Sequence, residues 1–173
     1  MRDSWIVLVM GFPFIFLQGC HAPGGSAELR GTVPGSTISG RATFTETPKG
    51  LEVVVQLANG PPGLHGIHVH ETGNCGNLGN AAGGHFNPHQ VKHGFLPKNG
   101  PHNAHTGDMG NIEVGQDGRG ALTLSMPELT LREGPHAVVG RAVILHEKRD
   151  DFGQPTGNAG GRIACGVIAA PGQ

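Results

Sequence analysis

Residues 64–93, LHGIHVHETGNCGNLGNAAGGHFNPHQVKH, hold six histidines and one cysteine, a density of imidazole that neither a solvated surface nor an apolar core requires. Neutral imidazole donates a lone pair to zinc, copper, nickel or iron, so metal binding is the first chemistry to consider. His68 and His70 lie two apart in Leu64–Glu71, which alternates like a half-buried strand. That period sends both rings off one face and Ile67 and Val69 off the other, into a core. An H-x-H pair on a strand is half of a metal site, and it is equally the pattern of two solvent-facing histidines. Further donors follow in glycine-rich chain: His85, His93 and His105, Asp108 three residues after His105, and His146 closing a later apolar run.

Strands must position these donors. Ala27–Val33, Ile38–Glu46, Leu51–Ala58, Gly63–Glu71, Asn111–Val114, Ala121–Ser125, Val138–His146 and Arg162–Ile168 read as strands, separated by turn residues such as Pro34-Gly35, Asn59-Gly60 and Asp117-Gly118. Val53, Val55 and Leu57 share one face of the third. Thirty-one glycines and thirteen prolines without a three-residue period argue for many short strands and long loops rather than a collagen-like or disordered chain. No helix-period segment of useful length and no internal repeat is present, so the class is all-β. Thr72–Met109 and Glu147–Gly161 have neither period, and an irregular stretch as long as the first is uncommon in a compact domain unless it serves a function. Bound metal would order it.

Five motifs, GLHGIHVHE, AGGHFNP, HTGDMGN, RAVILHEKRDD and TGNAGGRIACGVI, resemble in order the metal-site and channel motifs of the copper/zinc superoxide dismutases, particularly the bacterial periplasmic ones. The likeness runs from about Ala27 to Ile168. It implies a flattened eight-stranded antiparallel Greek-key barrel with two long functional loops. It also implies disproportionation of superoxide to dioxygen and hydrogen peroxide, protecting the cell envelope, with copper and zinc as cofactors. Carried over residue by residue, copper falls to His68, His70, His85 and His146. Zinc falls to His85, His93, His105 and Asp108, so His85 bridges the two ions. For the zinc ligand, His102 competes with His105, and the H-x-G-D order of His105 to Asp108 favours the latter. Asp150 would join His68 to His93 as a hydrogen-bond acceptor behind the ligands. Arg162 would be the channel arginine that attracts the anion, with Thr156 as the opposite wall. Lys92, Lys98, Lys148 and Arg149 are further candidates for steering. His65 and His136 are expected in hydrogen bonds to backbone or to each other, and His21 and His89 in solvent, with His89 able to take up adventitious metal. Two other readings share this fold, a noncatalytic periplasmic copper/zinc-binding module and a copper-delivery domain.

The N-terminus reads separately. Trp5–Leu17 is an apolar run of thirteen residues, suited to the core of an export signal and too short to span a bilayer as a helix. It ends in Leu17-Gln18-Gly19-Cys20, which resembles a bacterial lipobox and predicts a leader over 1–19, a lipid on Cys20, a tether over 20–26 and a domain over 27–173. Cleavage nearby without lipidation is the alternative. With Cys20 acylated, Cys75 and Cys165 remain, and the resemblance pairs them in a disulfide, as an oxidising compartment such as the periplasm permits. Two free thiols is the alternative there. Twelve Lys and Arg against thirteen Asp and Glu give a net charge of -1 with no basic tract, which argues against nucleic acid as a partner. Both monomer and homodimer are compatible with the sequence.

Overall fold

The computed structural model describes residues 24–171. Eight strands, β1 (Gly24–Gly31), β2 (Ser39–Thr47), β3 (Gly50–Ala58), β4 (Gly63–His70), β5 (Asp108–Val114), β6 (Gly120–Pro127), β7 (Ala142–His146) and β8 (Arg162–Val167), close into a barrel in the order β1-β2-β3-β6-β5-β4-β7-β8. Every neighbouring pair is antiparallel. Closure is narrowest between β5 and β6, where Val114 pairs with Gly120. The connections β3 to β4 and β6 to β7 cross over, giving the Greek-key path expected of the chain.

Alternation builds the interior. In β3, Leu51, Val53, Val55 and Leu57 are buried while Glu52 and Gln56 are exposed. Ala42 and Phe44 of β2 stand opposite Val55 and Val53 and are fully buried. Strand β4 departs from this rule, because Ile67 and Val69 enter the barrel core while His68 and His70, on the outer face, are buried as well. Its outer face lies under the loops, and a bulge between Gly66 and His68 offsets its register against β5.

Three boundaries differ from the sequence expectation by three or four residues. The first strand starts at Gly24, so Gly24, Gly25 and Ser26 pair with Thr45, Phe44 and Thr43 rather than forming a tether. Gly25 has a packing reason to be glycine, since a Cβ there would lie 3.1 Å from both Leu131 Cδ2 and the Ala169 carbonyl oxygen. The last but one strand begins at Ala142 instead of Val138, because Gly140 at φ 83° reverses the chain just before it. Strand β5 begins at Asp108, three residues early, and pairs Asp108 with His68. The long irregular stretch also contains two single turns of helix, Asn80–Ala82 and α1 (Leu96–Asn99). Leu96 from α1 reaches the main core.

Cys75 and Cys165 form a disulfide, with Cα atoms 5.7 Å apart. It pins the segment after β4 onto β8, over a small apolar cluster of Ala82, Ala142 and Ile144. A link across a sequence separation of 90 removes loop entropy from the unfolded chain worth about 4–5 kcal/mol. Among the described residues no helix is long and apolar enough to cross a membrane.

Candidate metal centre

The outer face of β4 supplies His68 and His70, the end of β7 supplies His146, and the start of β5 supplies Asp108. The connection between β4 and β5 supplies His85, His93 and His105. All seven side chains are buried, and they fall into two groups whose ligand atoms lie within 4.8 Å of one another: His68, His70, His85 and His146, then His85, His93, His105 and Asp108. His85 belongs to both. His105 is in the second group, whereas His102 is exposed on the surface.

Each imidazole is oriented by what its far nitrogen touches. In the first group, Nδ1 of His70 faces the Gly83 carbonyl at 2.9 Å, and Nδ1 of His146 faces the Gly160 carbonyl at 3.3 Å. Nε2 of His68 faces Asp150 Oδ2 at 2.9 Å. A nitrogen that faces an oxygen acceptor carries the hydrogen, so each ring keeps a bare lone pair on its other nitrogen. Nε2 of His70 and Nε2 of His146 consequently oppose each other at 3.3 Å, and His68 Nδ1 is buried without any hydrogen-bond partner. Opposed lone pairs and a buried orphan are costly in an apolar shell unless a cation sits among them. The donor set therefore fits a metal.

The second group passes the same test. His93 Nδ1 lies 2.9 Å from Asp108 Oδ2 yet makes no hydrogen bond, because the angle is wrong for one. Atoms at that separation without hydrogen-bond geometry are aimed at a common point. Asp108 Oδ1 lies 3.0 Å from His85 Nδ1 and 3.3 Å from His105 Nδ1, and Oδ2 accepts the backbone amides of Gly94 and His105 at 2.8 and 2.9 Å. Three imidazoles and a carboxylate, closed off from solvent, are a tetrahedral set of the kind that suits zinc.

Electrostatics divides the rings. Burial, followed by the proximity of His85, pushes His70 down to about 2. Burial and His68 push His146 down to about 3. His85 is pulled down by burial and only partly restored by Asp108, ending at about 4. These three are neutral near pH 7, the state a metal requires. Burial also pulls on His93, but the carboxylates of Asp108 and Asp150 outweigh it and hold this ring up at about 9. Burial would raise Asp108 and Asp150, and the hydrogen bonds from the surrounding histidines win, keeping both well below the usual carboxylate range.

Asp150, fully buried, joins the two groups: Oδ2 faces His68 Nε2 at 2.9 Å, and Oδ1 faces His93 Nε2 at 2.9 Å. Asn111 holds the Asp150 backbone from both sides, at 2.7 and 2.9 Å, and Gln154 clamps the backbone of His93. Gly157, at φ 76°, packs so closely that a Cβ would lie 2.7 Å from His93 Nε2 and closer still to Asp150. Arg141 braces the loop, with its guanidinium carbon 3.5 Å above the Phe86 ring and a hydrogen bond to the Glu71 carbonyl. Asn111, Gln154, Gly157 and Arg141 escape sequence reasoning, since each acts through a contact with a residue remote in sequence.

Arg162 donates to the carbonyls of Gly79 and Gly83 at 2.7 and 2.6 Å. Gly83 is the same carbonyl that His70 uses, so the half-buried guanidinium sits one peptide group from the first cluster. Thr156, Lys92, Lys98, Lys148 and Arg149 are exposed. His65 makes its hydrogen bonds to backbone, at the carbonyls of His146 and Pro61. His136 likewise faces a backbone carbonyl, that of Glu128 at 3.2 Å, and also meets His89.

A closed Greek-key barrel carrying two buried donor groups that share one imidazole defines a histidine-rich dinuclear metalloprotein. Residues 38–168 match the copper/zinc superoxide dismutase (SODC) family, and the chain belongs to it. An extracellular superoxide dismutase [Cu-Zn] of Haemonchus contortus is 40% identical over 147 residues, 81% of this chain and 78% of the relative. A superoxide dismutase [Cu-Zn] 2 of Brassica juncea is 42% identical over 143 residues, covering 78% and 91%. Among solved structures, a crystal structure of the clock protein EA4 superposes with a TM-score of 0.75 at 36% identity, covering 94% of this chain and 99% of that one. Copper and zinc are the cofactors of this family.

Proposed function

We propose that this chain disproportionates superoxide to dioxygen and hydrogen peroxide. Copper would be held by His68, His70, His85 and His146, and zinc by His85, His93, His105 and Asp108. The observation that carries the reading is the shared position of His85, whose Nδ1 is turned to Asp108, leaving Nε2 for the first group. Copper, when bound, supplies the one-electron couple, while zinc has no redox change to make and supplies charge and order.

The chain's own residues do the rest. Asp150 keeps the hydrogens on Nε2 of His68 and His93, so both rings present Nδ1 inward. His85 is the ring from which a proton is held or released at Nε2. Arg162 offers a cation tied into the wall of the first group, through the Gly83 carbonyl, and draws in and orients an anion. At about 4 Å and an effective dielectric of about 20, one such charge pair is worth about 4 kcal/mol. Thr156 is assigned to the opposite wall.

The decisive assay is superoxide consumption by protein reconstituted with both metals. Metal-replete protein that fails to exceed free buffer would leave only a noncatalytic binding or copper-delivery role. Arg162→Ala is expected to retain both metals, lower the second-order rate at least ~10-fold and flatten its dependence on ionic strength. An unchanged rate at low salt would remove Arg162 from the mechanism.

Localisation follows from the leader. Trp5–Leu17 and the Cys20 motif, which lie outside the described residues, support export and acylation at Cys20, and with them a periplasmic or cell-envelope location as a membrane-anchored lipoprotein, as a monomer or homodimer. Cys20→Ser is expected to move the protein from the detergent phase to the aqueous phase; a mutant that still partitions with membranes excludes the anchor.

A further inference from the structure

Beyond the dinuclear centre, a second meeting of histidines lies on the surface. His89 comes from the turn at Asn87–Gln90, between two ligands of the second group. Glu128 and His136 come from the crossover that joins β6 to β7, where Thr130 and Ala137 bridge in parallel and bring the two ends of the segment together. Across a sequence separation of 47, Nε2 of His89 and Nε2 of His136 stand 2.7 Å apart. The rings are edge to face, with centroids 4.8 Å apart. His102 stands beside them, its centroid 6.4 Å from that of His89.

Hydrogen accounting decides what this pair is suited to. Nδ1 of His136 faces the Glu128 carbonyl at 3.2 Å and so carries the ring hydrogen, which leaves a lone pair on Nε2 directed at His89. A backbone carbonyl behind an imidazole is the arrangement that orients a metal ligand and raises its basicity. Only one hydrogen can lie between the two Nε2 atoms. A cation in its place would need ring nitrogens at about 2.0–2.1 Å from it, a small opening between the exposed His89 and the half-buried His136. Glu128 supplies a carboxylate 3.9 Å from His136 Nδ1, with 52% of its side chain exposed, and ligand atoms of His89, Glu128 and His136 lie within 4.8 Å of one another.

We propose that His89, His136 and Glu128 form a third metal site, for Zn2+ or a cation of similar ligand preference, with His102 as a further donor at its edge. Two imidazoles and one carboxylate suit zinc, and they discriminate against Mg2+ and Ca2+, which prefer oxygen shells. An ion there ties the loop that carries His85 and His93 to the β6–β7 crossover. Zinc therefore has a surface foothold on the segment that also orders the buried centre.

The test starts from full-length protein already holding copper and zinc at the dinuclear centre, titrated with ZnCl2 in a calorimeter. One further equivalent is expected, undiminished by excess Mg2+. Removing a supporting partner of a metal ligand costs roughly 10–100-fold in affinity, and loss of a ligand itself is expected to cost at least as much. His89→Gln and His136→Gln should therefore each weaken the added equivalent at least ~10-fold, with the double variant abolishing it. Both variants should keep their two tightly held metals and their dismutase rate, which separates this site from the buried one. Anomalous scattering at the zinc edge should then show an ion between His89 and His136. Absence of a third equivalent in the wild type overturns the proposal. So does a third equivalent that survives unchanged in the double variant, because it would lie elsewhere.

Discussion

Replacing Asp150 by asparagine removes a charge and one acceptor while keeping the volume, and the structure specifies which metal ligand suffers. Asp150 Oδ1 accepts from the Phe152 amide at 2.8 Å as well as facing His93 Nε2 at 2.9 Å. Oδ2 faces His68 Nε2 at 2.9 Å and His93 Nε2 at 3.0 Å. An asparagine must place its oxygen where the Phe152 amide points, because its own NH2 there would oppose another donor. The NH2 is then left facing Nε2 of His68, which also carries a hydrogen. Two donors cannot share that contact, so His68 moves its hydrogen to Nδ1 and loses the inward lone pair that now lies buried without a partner. Loss of a partner behind a ligating histidine typically costs about 10–100-fold in metal affinity, or about 1.4–3 kcal/mol. Copper affinity of Asp150→Asn, measured by competition with a chelator of known strength, should fall by that factor, with zinc affinity falling less. Asp151→Asn, at the exposed neighbour, is the control and should change neither. Copper bound as tightly by Asp150→Asn as by the wild type would refute the tautomer argument.

Two other perturbations probe the same geometry. Gly157→Ala places a methyl against Asp150 and His93 and forces a non-glycine residue into the left-handed region, which alone costs about 1–2 kcal/mol; thermal unfolding of the metal-free mutant should show at least that loss, and a wild-type melting temperature would contradict it. The metal-free protein should also lose stability in acid. His70, His146 and His85 are held down to about 2, 3 and 4 against an ordinary 6.5, so the unfolded chain binds more protons as pH falls below 6.5. Each contributes a slope of up to about 1.4 kcal/mol per pH unit until its folded value is reached. His93 runs the other way, since its raised value of about 9 gives stability that is complete below 6.5 and lost as pH rises towards 9. Unfolding scans should place the optimum of the metal-free protein near pH 6.5, and a melting temperature that is flat between pH 6.5 and 4.5 would rule this out.

Much of the barrel was legible because its signals are local. Val53, Val55 and Leu57 declare a buried face by period alone, and His68 and His70 declare a shared face by the same rule. Whether that face met solvent was not legible, since its burial comes from loops laid over β4 by contacts that no period encodes. Ser26 looked like tether because glycine and serine carry little strand signal, yet ladder partners on β2 decide the matter. His105 was separable from His102 by the spacing to Asp108. The meeting of His89 with His136 was not, as it depends on where two distant turns come to rest.

From the chain alone came the inventory of donors, the alternation of the strands and the motif order that resembles one enzyme family, all properties of residues near one another in sequence. Tertiary structure decided which nitrogen of each ring is free, because that choice belongs to a partner far along the chain: Asp150 for His68, 82 residues away, and for His93, 57 residues away. An imidazole has two nearly equivalent nitrogens, and only the acceptor placed behind it by the fold tells them apart.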